Sequence, residues 1–379
     1  MTGNQAVAEA VRLARTEVVA AYPITPQTVI VEKLAEMVDS GLLDAEFIRV
    51  ESEHSALAAV YGSAVAGKRS FTATSSHGLL YMYEMIWWVA NARVPLVMVV
   101  VTRTIGPPWN IHTDHTDLLT MRDSGWIIAM AENVQEAFDL TINGFRISEE
   151  VSLPYTAGMD AFQLSHTSEV VDLLEQQYVD EFLPERRQSY VFGEEAFTVG
   201  CIGPNEYTAR LRKDTFEALK NTEKVVDKVS REYEEITGRN CGLLEEYRLD
   251  DAEYAVVMMG AWSGDAKDAI DELRKESLPI GLLKLRYIRP MPYKKIQKLL
   301  DGKQVLVLDR DCSMGAGGIL GVEVKNCVEA TNIIAGIGGI DVGVDDFIKM
   351  FRVFSEGKLE VEKNGVYWWP PEIYDKGMR

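Results

Sequence analysis

Short runs of hydrophobic residues alternate with longer amphipathic stretches over the first 165 residues. The candidate strands are residues 18–21, 47–50, 70–73, 95–101, 127–130 and 153–157. Helical patterns separate them, for example at residues 27–40, 55–66 and 79–91. Regular alternation of this kind predicts an α/β fold whose doubly wound, largely parallel sheet is covered by helices on both faces.

The pattern changes after residue 170 and returns after residue 250. Residues 171–250 are rich in Glu, Lys and Arg, with a solvated helix predicted at 217–235 and a strand only at 188–192. Beyond them, strands are predicted at 255–259, 280–285 and 305–308, and helices at 263–275 and 293–300. We therefore predict three parts: an α/β domain over residues 1–170, a helical acidic connection over 171–250, and a smaller α/β domain over 251–379.

Length, composition and charge narrow the class of protein. The 379 residues suffice for two domains, and 47% of them are hydrophobic. No apolar run reaches the ~18 residues that a membrane helix needs, and the N-terminus lacks a basic-then-apolar leader. We expect a cytoplasmic protein with no membrane partner. The formal charge of −19 argues against a nucleic-acid partner, since a phosphate backbone requires a basic surface.

The four cysteines are too far apart in sequence to suggest a metal centre. They are Cys201, Cys241, Cys312 and Cys327. Iron–sulfur clusters and structural zinc sites take closely spaced thiolates, and this chain has no such run. We therefore expect free thiols and no metal site in this chain.

Two polar segments follow the first two predicted strands. Residues 22–26 read Tyr-Pro-Ile-Thr-Pro, and the two prolines exclude a helix, so Thr25 is held on a stiff loop. Residues 51–55 read Glu-Ser-Glu-His-Ser and open a helix. Ligands of open α/β sheets bind at the carboxyl ends of the strands. A hydroxyl and at least one carboxylate are therefore predicted at the mouth of one crevice.

The acidic residues of the second segment have two possible uses. Glu51 and Glu53 flank Ser52, a good helix N-cap, and acids in a first turn complement the helix dipole. A carboxylate at a helix start beside an apolar pocket also suits general acid–base work. The pattern alone leaves both uses open. Thr25 has a similar ambiguity, because threonine beside proline is common in turns.

An arginine and a polar loop follow the most hydrophobic strand. Arg103 must leave the core or find a partner, and its guanidinium suits bidentate binding of a carboxylate. We call residues 105–117 the pocket loop, since they are expected to cover the same crevice. Its candidate pocket residues are Trp109, Asn110, His112, Asp114 and His115. Whether Trp109 and His112 line the pocket or fill it stays open.

Other chemistries have weaker support. His112, Asp114 and His115 could bind a metal, but histidines in a cleft more often act as polar lining or proton donors. No G-x-S-x-G segment supports a serine hydrolase. The glycine clusters at 315–318 and 336–339 match neither a P-loop nor G-x-G-x-x-G, and so predict tight turns.

Several of these motifs recur in one order that is characteristic of a known family. Besides the two crevice segments, they lie at residues 3–6, 71–79, 101–103, 114–117, 122–126, 134–137, 165–167, 285–292 and 307–310. Together they resemble the alpha subunit of the 2-oxoacid:ferredoxin oxidoreductases, most closely the pyruvate branch. The resemblance covers residues 3–170 and 250–350. It implies a thiamine-enzyme-type pyrimidine-binding domain followed by a transketolase C-terminal-like domain.

The resemblance also implies roles for individual residues. Glu53 would hydrogen-bond the aminopyrimidine ring of thiamine diphosphate, with Glu51 structural, and Tyr22, Ile24 and Ser76 are predicted to line the cofactor. Thr25 and Arg103 would position the oxoacid. The neutral Thr25 favours a monocarboxylate, so the expected reaction is the oxidative decarboxylation of pyruvate to acetyl-CoA, with coenzyme A as co-substrate.

Partner subunits are implied by what the chain lacks. Thiamine enzymes hold the diphosphate and Mg²⁺ with a Gly-Asp-Gly segment, which is absent from this sequence. We therefore expect beta, gamma and delta-type subunits that carry the diphosphate and Mg²⁺ site and [4Fe-4S] clusters, with ferredoxin as electron acceptor. The alternatives are another oxoacid (oxalate, an arylglyoxylate or a branched chain), a non-redox transketolase-like subunit, and a non-catalytic assembly protein.

Overall fold

The computed structural model describes residues 1–186, 198–359 and 365–374. The strands are β1 (Val18–Ala21), β2 (Glu46–Arg49), β3 (Ser70–Thr74), β4 (Val97–Thr102), β5 (Ile127–Met130), β6 (Tyr155–Asp160), β7 (Leu244–Tyr247), β8 (Tyr254–Met258), β9 (Ile280–Leu285), β10 (Tyr287–Arg289), β11 (Gln304–Asp309), β12 (Thr331–Ala335) and β13 (Val366–Trp369). Short 3₁₀ helices lie at Thr120–Asp123 and Ile337–Gly339.

Helices fill the intervals between these strands. They are α1 (Gly3–Leu13), α2 (Thr28–Asp39), α3 (Glu53–Val65), α4 (Ser76–Tyr81), α5 (Tyr83–Asn91), α6 (Thr116–Leu119), α7 (Val134–Val151), α8 (Gln176–Phe182), α9 (Asn205–Thr237), α10 (Trp262–Lys275), α11 (Tyr293–Leu300), α12 (Ile319–Val324), α13 (Val344–Ser355) and α14 (Pro371–Tyr374). In the described ranges, no helix is both long enough and apolar enough to cross a membrane.

The first sheet has the strand order β10-β5-β6-β4-β3-β1-β2. Strands β1 to β6 run parallel, and β4, the most hydrophobic segment, is buried along its whole length in the middle of the sheet. The six strands predicted for this half are all present, so the predicted doubly wound α/β sheet is confirmed. Because β1, β3 and β4 are neighbours, the loops at their carboxyl ends meet at one edge.

The second sheet has the order β13-β12-β11-β8-β9-β7 and is parallel except at β7. Strand β7 lies within the stretch 171–250, where the prediction was a helical connection with a strand only at 188–192. Its sequence Leu-Glu-Glu-Tyr carries no clear strand signal, since it is a half-buried edge strand. The predicted strand at 188–192 lies outside the described residues, and the division of the chain at residues 170 and 250 stays a prediction.

Strand β10 connects the two halves of the molecule. It belongs by sequence to the second half but pairs antiparallel with β5 at the edge of the first sheet. Its Tyr287 is fully buried and meets Tyr155 of β6, with the two hydroxyls 3.2 Å apart. The two sheets therefore share backbone hydrogen bonds as well as side-chain contacts.

A group of charged side chains, which we call the interface ion cluster, also joins the two sheets. Its members are Glu132, Glu136, Glu245, Lys267, Lys284 and Arg286. Lys284 is 2% exposed and bonds Glu132 as well as Glu136, the latter at 2.7 Å. Three acids face three bases, so the cluster is neutral as a whole, which is the condition under which charges remain buried.

Candidate functional site

The crevice at the carboxyl edge of the first sheet contains the segments predicted to carry chemistry. Residues 22–26 follow β1, α3 follows β2, α4 follows β3, and the pocket loop follows β4. All four segments therefore come from adjacent strands of one sheet. This is the location where α/β sheets bind ligands.

Glu53 is a buried carboxylate at the start of α3. Ser52 caps the helix, its hydroxyl accepting from the backbone N–H of Ser55 at 3.2 Å. Glu53 is 7% exposed, and none of the described residues hydrogen-bonds its carboxylate. By contrast, Glu51 is exposed and accepts from the Ser55 hydroxyl. Burial without a partner makes Glu53 the acid that is available to a ligand.

The backbone of α4 packs directly against the Glu53 carboxylate. A Cβ added at Gly78 would lie 2.6 Å from Oε1 of Glu53 and 2.7 Å from Oγ1 of Thr74. Oγ1 of Thr74 is itself buried without a hydrogen-bond partner in the described part of the chain. The absence of a side chain at residue 78 therefore leaves room for two polar groups that have no hydrogen-bond partner among the described residues.

Arg103 is a buried cation without an ion-pair partner among the described residues. Its Nε donates to the carbonyl of Asn110 at 3.0 Å and its Nη1 to the carbonyl of Thr25 at 2.9 Å. The ring of Trp109 lies over the guanidinium at 5.3 Å. Burial lowers the pKa of Arg103, although the nearby Asp117 opposes that shift. Backbone carbonyls satisfy N–H groups but do not balance the charge, so this site suits an anion.

Asp117 fixes the backbone on both sides of the crevice. Its carboxylate accepts from the backbone N–H groups of Ser76, Arg103 and Leu118, at 2.8, 3.0 and 2.7 Å. Complete burial raises its pKa to about 8, against the opposing effect of those donors. The sequence indicated Asp117 only as a member of the family motif at residues 114–117. Its bonding role could not be predicted locally, because Ser76 is 41 residues away in the chain.

The loop that carries Tyr22, Ile24 and Thr25 is held by amide side chains. Nδ2 of Asn4 donates to the carbonyl of Pro26 at 2.9 Å, and Nε2 of Gln27 donates to that of Tyr22 at 2.8 Å. Tyr22 and Thr25 are exposed at the crevice, whereas Ile24 is half-buried. Their predicted contacts with cofactor and substrate stay predictions, but the loop is in the expected place.

Ser76 is buried, and its hydroxyl already has a partner. Its Oγ donates to the carbonyl of Thr104 at 2.6 Å, and its φ of 48° lies in the left-handed region. The next residue, His77, accepts the backbone N–H of Gly106 through Nε2 at 3.3 Å. Both side chains therefore fasten the start of the pocket loop to α4, and direct contact of Ser76 with the cofactor remains a prediction.

Trp109 and His112 occupy different positions on the pocket loop. Trp109 is 75% exposed and its ring stacks on Arg103, which leaves open whether it lines the pocket or fills it. The ring of His112 is exposed and packs beside that of Phe162, with centroids 5.5 Å apart. Asn110 lies between them and bonds Gly338 of the second sheet through Nδ2 at 2.8 Å.

Asp114 and His115 are buried anchors of the loop. Oδ1 of Asp114 accepts from the backbone N–H of Thr116 at 3.0 Å. Nε2 of His115 lies 3.0 Å from Oδ1 of Asp160, and its backbone N–H donates to the carbonyl of Arg310 at 2.8 Å. These two side chains were predicted to line the pocket. They are buried instead and hold the loop in place by hydrogen bonds.

The described residues bring together one group of acids with the spacing of metal ligands, and it lies away from the pocket loop. Its members are Glu132, Glu136 and Glu245. The ammonium group of Lys284 bonds all three, so a cation already occupies the position between them.

Comparison with protein families gives two matches that together span most of the chain. Residues 9–231 match the family model "Pyruvate flavodoxin/ferredoxin oxidoreductase, thiamine diP-bdg". Residues 252–347 match "Pyruvate:ferredoxin oxidoreductase core domain II". The second match begins just before β8, which together with β11 forms the centre of the second sheet.

Individual relatives are similar over nearly their whole length. The chain is 41% identical to the ketoisovalerate oxidoreductase subunit VorA of Pyrococcus abyssi, covering 97% of this chain and 96% of that one. It is 43% identical to the pyruvate synthase subunit PorA of Methanocaldococcus jannaschii, covering 91% and 92%. These names include two different oxoacids, so identity alone does not separate them.

A solved structure shows the same fold in a longer chain. The 2-oxoglutarate:ferredoxin oxidoreductase from Magnetococcus marinus superposes with a TM-score of 0.73 at 19% identity. The match covers 93% of this chain but only 64% of that one. At this identity the likeness concerns the fold alone, and the other chain contains parts that have no counterpart here.

Proposed function

Because this chain belongs to the 2-oxoacid:ferredoxin oxidoreductases as an alpha subunit, we propose that its crevice holds the pyrimidine end of thiamine diphosphate and the carboxylate of the oxoacid. Members of the family are oxidoreductases of 2-oxoacids with iron–sulfur protein acceptors. The observation that carries the proposal is the buried charge of Arg103, whose hydrogen bonds to the described residues go to the carbonyls of Thr25 and Asn110 and to no acid.

Arg103 is suited to the substrate's carboxylate. The bonds to Asn110 and Thr25 use Nε and Nη1, so the Nη2 edge keeps its donors for a ligand. An anion that reached this buried cation would supply the missing countercharge, and the fixed guanidinium would orient it. Thr25 is exposed and its carbonyl bonds Arg103, so its hydroxyl would offer a further hydrogen bond to the acid.

Glu53 fits the aminopyrimidine ring of the cofactor. Its carboxylate is buried, lacks a partner among the described residues, and lies against Gly78, where any side chain would collide with it. A ring nitrogen that donates to this carboxylate would satisfy it and would fix the ring's tautomer. When bound, thiamine diphosphate supplies a nucleophilic carbon that attacks the 2-oxo group and stabilises the charge left when carbon dioxide departs.

We propose pyruvate as the oxoacid, with a branched-chain 2-oxoacid as the second candidate. Thr25 is neutral, so among the described crevice segments Arg103 is the buried cation available to a ligand, which matches one carboxylate. The branched-chain candidate is kept because the 41% identity to a ketoisovalerate oxidoreductase subunit is close to the 43% identity to a pyruvate synthase subunit. Trp109 stacks on Arg103, so the space it leaves would decide between a methyl and an isopropyl group.

The remaining parts of the reaction require partner subunits. The sequence has no Gly-Asp-Gly segment and no close run of cysteines. We therefore assign the diphosphate and Mg²⁺ site and the [4Fe-4S] clusters to beta, gamma and delta-type subunits, with coenzyme A as acyl acceptor, ferredoxin as electron acceptor, and the cytoplasm as compartment.

The assembled native complex provides the test. We would measure anaerobic viologen reduction with and without coenzyme A, using pyruvate, 2-oxoisovalerate, oxalate and phenylglyoxylate. Coenzyme A-dependent reduction that is fastest with pyruvate supports the proposal, and the fastest rate with 2-oxoisovalerate selects the second candidate. Reduction with none of the acids, in a complex shown to contain thiamine diphosphate, would overturn it in favour of a non-redox thiamine enzyme.

A further inference from the structure

A tight turn that follows β12 of the second sheet contacts the pocket loop. We call residues 336–339 the glycine turn. The carbonyl of Gly338 accepts a hydrogen bond from Nδ2 of Asn110 at 2.8 Å. Oδ1 of Asn110 accepts the backbone N–H of His112, also at 2.8 Å. The amide of Asn110 therefore joins the tip of the pocket loop to the second sheet and at the same time closes the loop on itself.

Asn110 is also one of the two groups that hold Arg103. Its backbone carbonyl accepts from Nε of Arg103 at 3.0 Å. A continuous set of hydrogen bonds thus runs from Gly338 through Asn110 to the guanidinium that faces the substrate. If the glycine turn moves relative to the first sheet, the carbonyl that orients Arg103 moves with it.

The glycine turn also contacts the loop through van der Waals packing. A Cβ added at Gly339 would lie 2.3 Å from Cβ of His112 and 2.9 Å from its Cγ. Gly339 has a φ of 83°, which only glycine adopts without strain. The backbone of the turn therefore packs against the side chain of His112 with no room for a side chain at residue 339.

A second connection fixes the end of the loop to the second sheet. Asp160 accepts from His115 and from Nη1 of Arg310, both at 3.0 Å, and from the backbone N–H of Ala261 at 3.0 Å. Although burial would raise the pKa of Asp160, His115 and Arg310 hold it well below its usual range. This connection holds the C-terminal end of the pocket loop in place. The position of the tip at Asn110 depends instead on the glycine turn.

We propose that the glycine turn of the second sheet positions Arg103 and sets which oxoacid the crevice accepts, with Asn110 as the positioning residue. This inference rests on the proposed function. It gives the second sheet a part in substrate selection, in addition to assembly. The turn acts on the substrate only through the pocket loop, so changes in it should affect the binding of the oxoacid more than the chemical step.

The test compares two glycines with nearly the same positive φ, so that alanine strains the backbone to a similar extent at both positions. Gly339→Ala forces the loop away, because its new Cβ meets His112. Gly315→Ala is the matched control, since Gly315 has a φ of 81° but nothing within 4 Å of an added Cβ. Asn110→Ala, which removes the bond to Gly338, serves as a second variant that adds no backbone strain. Each is assembled into the full complex and assayed with pyruvate and 2-oxoisovalerate.

We expect Gly339→Ala and Asn110→Ala to raise the KM for the better acid by about tenfold or more, to change kcat much less, and to alter the ratio of kcat/KM between the two acids. Gly315→Ala should leave all three quantities near those of the wild type. Equal effects of Gly339→Ala and Gly315→Ala, or a fall in kcat at unchanged KM, would overturn the inference.

A further variant separates this inference from the function on which it rests. Arg103→Lys tests the proposed substrate site directly. If Arg103→Lys raises KM while Gly339→Ala and Asn110→Ala do not, only the role of the glycine turn is wrong. If Arg103→Lys leaves KM unchanged, the proposed substrate site itself is wrong.

Discussion

Nη1 of Arg103 donates to the backbone carbonyl of Thr25 at 2.9 Å, so the two residues proposed to bind the oxoacid are also bonded to each other. The bond crosses from the end of β4 to the end of β1, two strands away in the sheet. Because the acceptor is a carbonyl, it fixes the direction of the guanidinium without cancelling its charge. The crevice thereby combines a rigid arginine with a charge that has no ion-pair partner among the described residues, a combination that suits an anionic substrate.

Replacing Arg103 should weaken substrate binding. In Arg103→Lys the planar fork is lost, so the bonds to Thr25 and Asn110 and the orientation of the charge cannot all be kept. We expect KM for the oxoacid to rise by about 10- to 100-fold, as for the loss of a hydrogen bond to a charged group. Steady-state viologen reduction by the assembled complex measures it.

Arg93→Lys is the matched control for that variant. Arg93 also donates to backbone carbonyls, those of Val151 and Ser152, but lies away from the crevice segments. Its replacement should leave KM unchanged. A similar rise in KM for both variants would mean that lost packing, and not substrate binding, explains the effect.

Glu53 and Glu51 provide a matched pair of acids two residues apart. Glu53→Gln removes the buried carboxylate and keeps its shape, so we expect kcat to fall by at least about 100-fold while the complex still assembles. Glu51→Gln changes an exposed acid that accepts a hydrogen bond from Ser55, and kcat should stay near the wild-type value. Activity assays together with size-exclusion chromatography measure both. Near-normal turnover by Glu53→Gln would exclude its proposed role.

Gly78 should be intolerant of any side chain. Gly78→Ala places a methyl group 2.6 Å from the Glu53 carboxylate, so we expect the protein to lose about 1–3 kcal/mol of stability and its affinity for thiamine diphosphate to fall. Gly62→Ala, in α3, has nothing within 4 Å and should instead gain up to about 1 kcal/mol from helix propensity. Urea unfolding and cofactor titration measure these effects. An equal response of the two variants would show that Gly78 is not tightly enclosed.

The interface ion cluster should make folding stability depend on acid pH. Although burial raises the pKa of Glu245, Lys284 and Lys267 together lower it to about 2, and Arg286 with Lys284 similarly lowers that of Glu136. A carboxylate with a depressed pKa stabilises the fold fully above its unfolded pKa of 4.5 and loses that contribution as the pH falls toward the folded value. We therefore expect the free energy of unfolding to decrease from about pH 5 towards pH 2.

Lys284→Met tests the source of that dependence. Without Lys284, Glu132 and Glu136 lose a buried counterion, so we expect a loss of about 3–5 kcal/mol at neutral pH. Because the carboxylate pKa values then rise, that loss should shrink as the pH falls, and stability should depend on acid pH less than in the wild type. Lys33→Met, which removes an exposed lysine paired with Glu36, should change neither the stability at neutral pH nor its pH dependence appreciably. Denaturant unfolding at a series of pH values measures both. A loss in Lys284→Met that does not shrink in acid would place the pH dependence elsewhere.

Much of the fold follows from the local pattern of hydrophobic residues. The strands at 18–21, 127–130 and 280–285 have their predicted bounds, and the other strands predicted within the described residues lie within a few residues, because buried parallel strands are continuous apolar runs. β7, β10, β12 and β13 were not predicted. β7 and β10 are short edge strands whose partners, β9 and β5, are set by tertiary packing rather than by local sequence.

The candidate site likewise has a part that the sequence predicted and a part that it did not. The location of Thr25, Glu53 and Arg103 at one crevice follows from the rule that strand ends carry ligands, and the structure brings their segments together. The burial of Asp114 and His115 could not be foreseen. It depends on Asp160 and on Arg310, which are far away in the chain and have no local signature.

The antiparallel strand β10 has a consequence for the order in which this protein folds. During synthesis the strands β1 to β6 leave the ribosome first, whereas the neighbour of β5 is translated only after β9 of the other sheet. Until then the edge of the first sheet is open and the hydroxyl of Tyr155 has no contact with Tyr287. The cofactor-binding half therefore cannot reach its final form as an independent nascent domain, and its maturation has to wait for the second half of the chain.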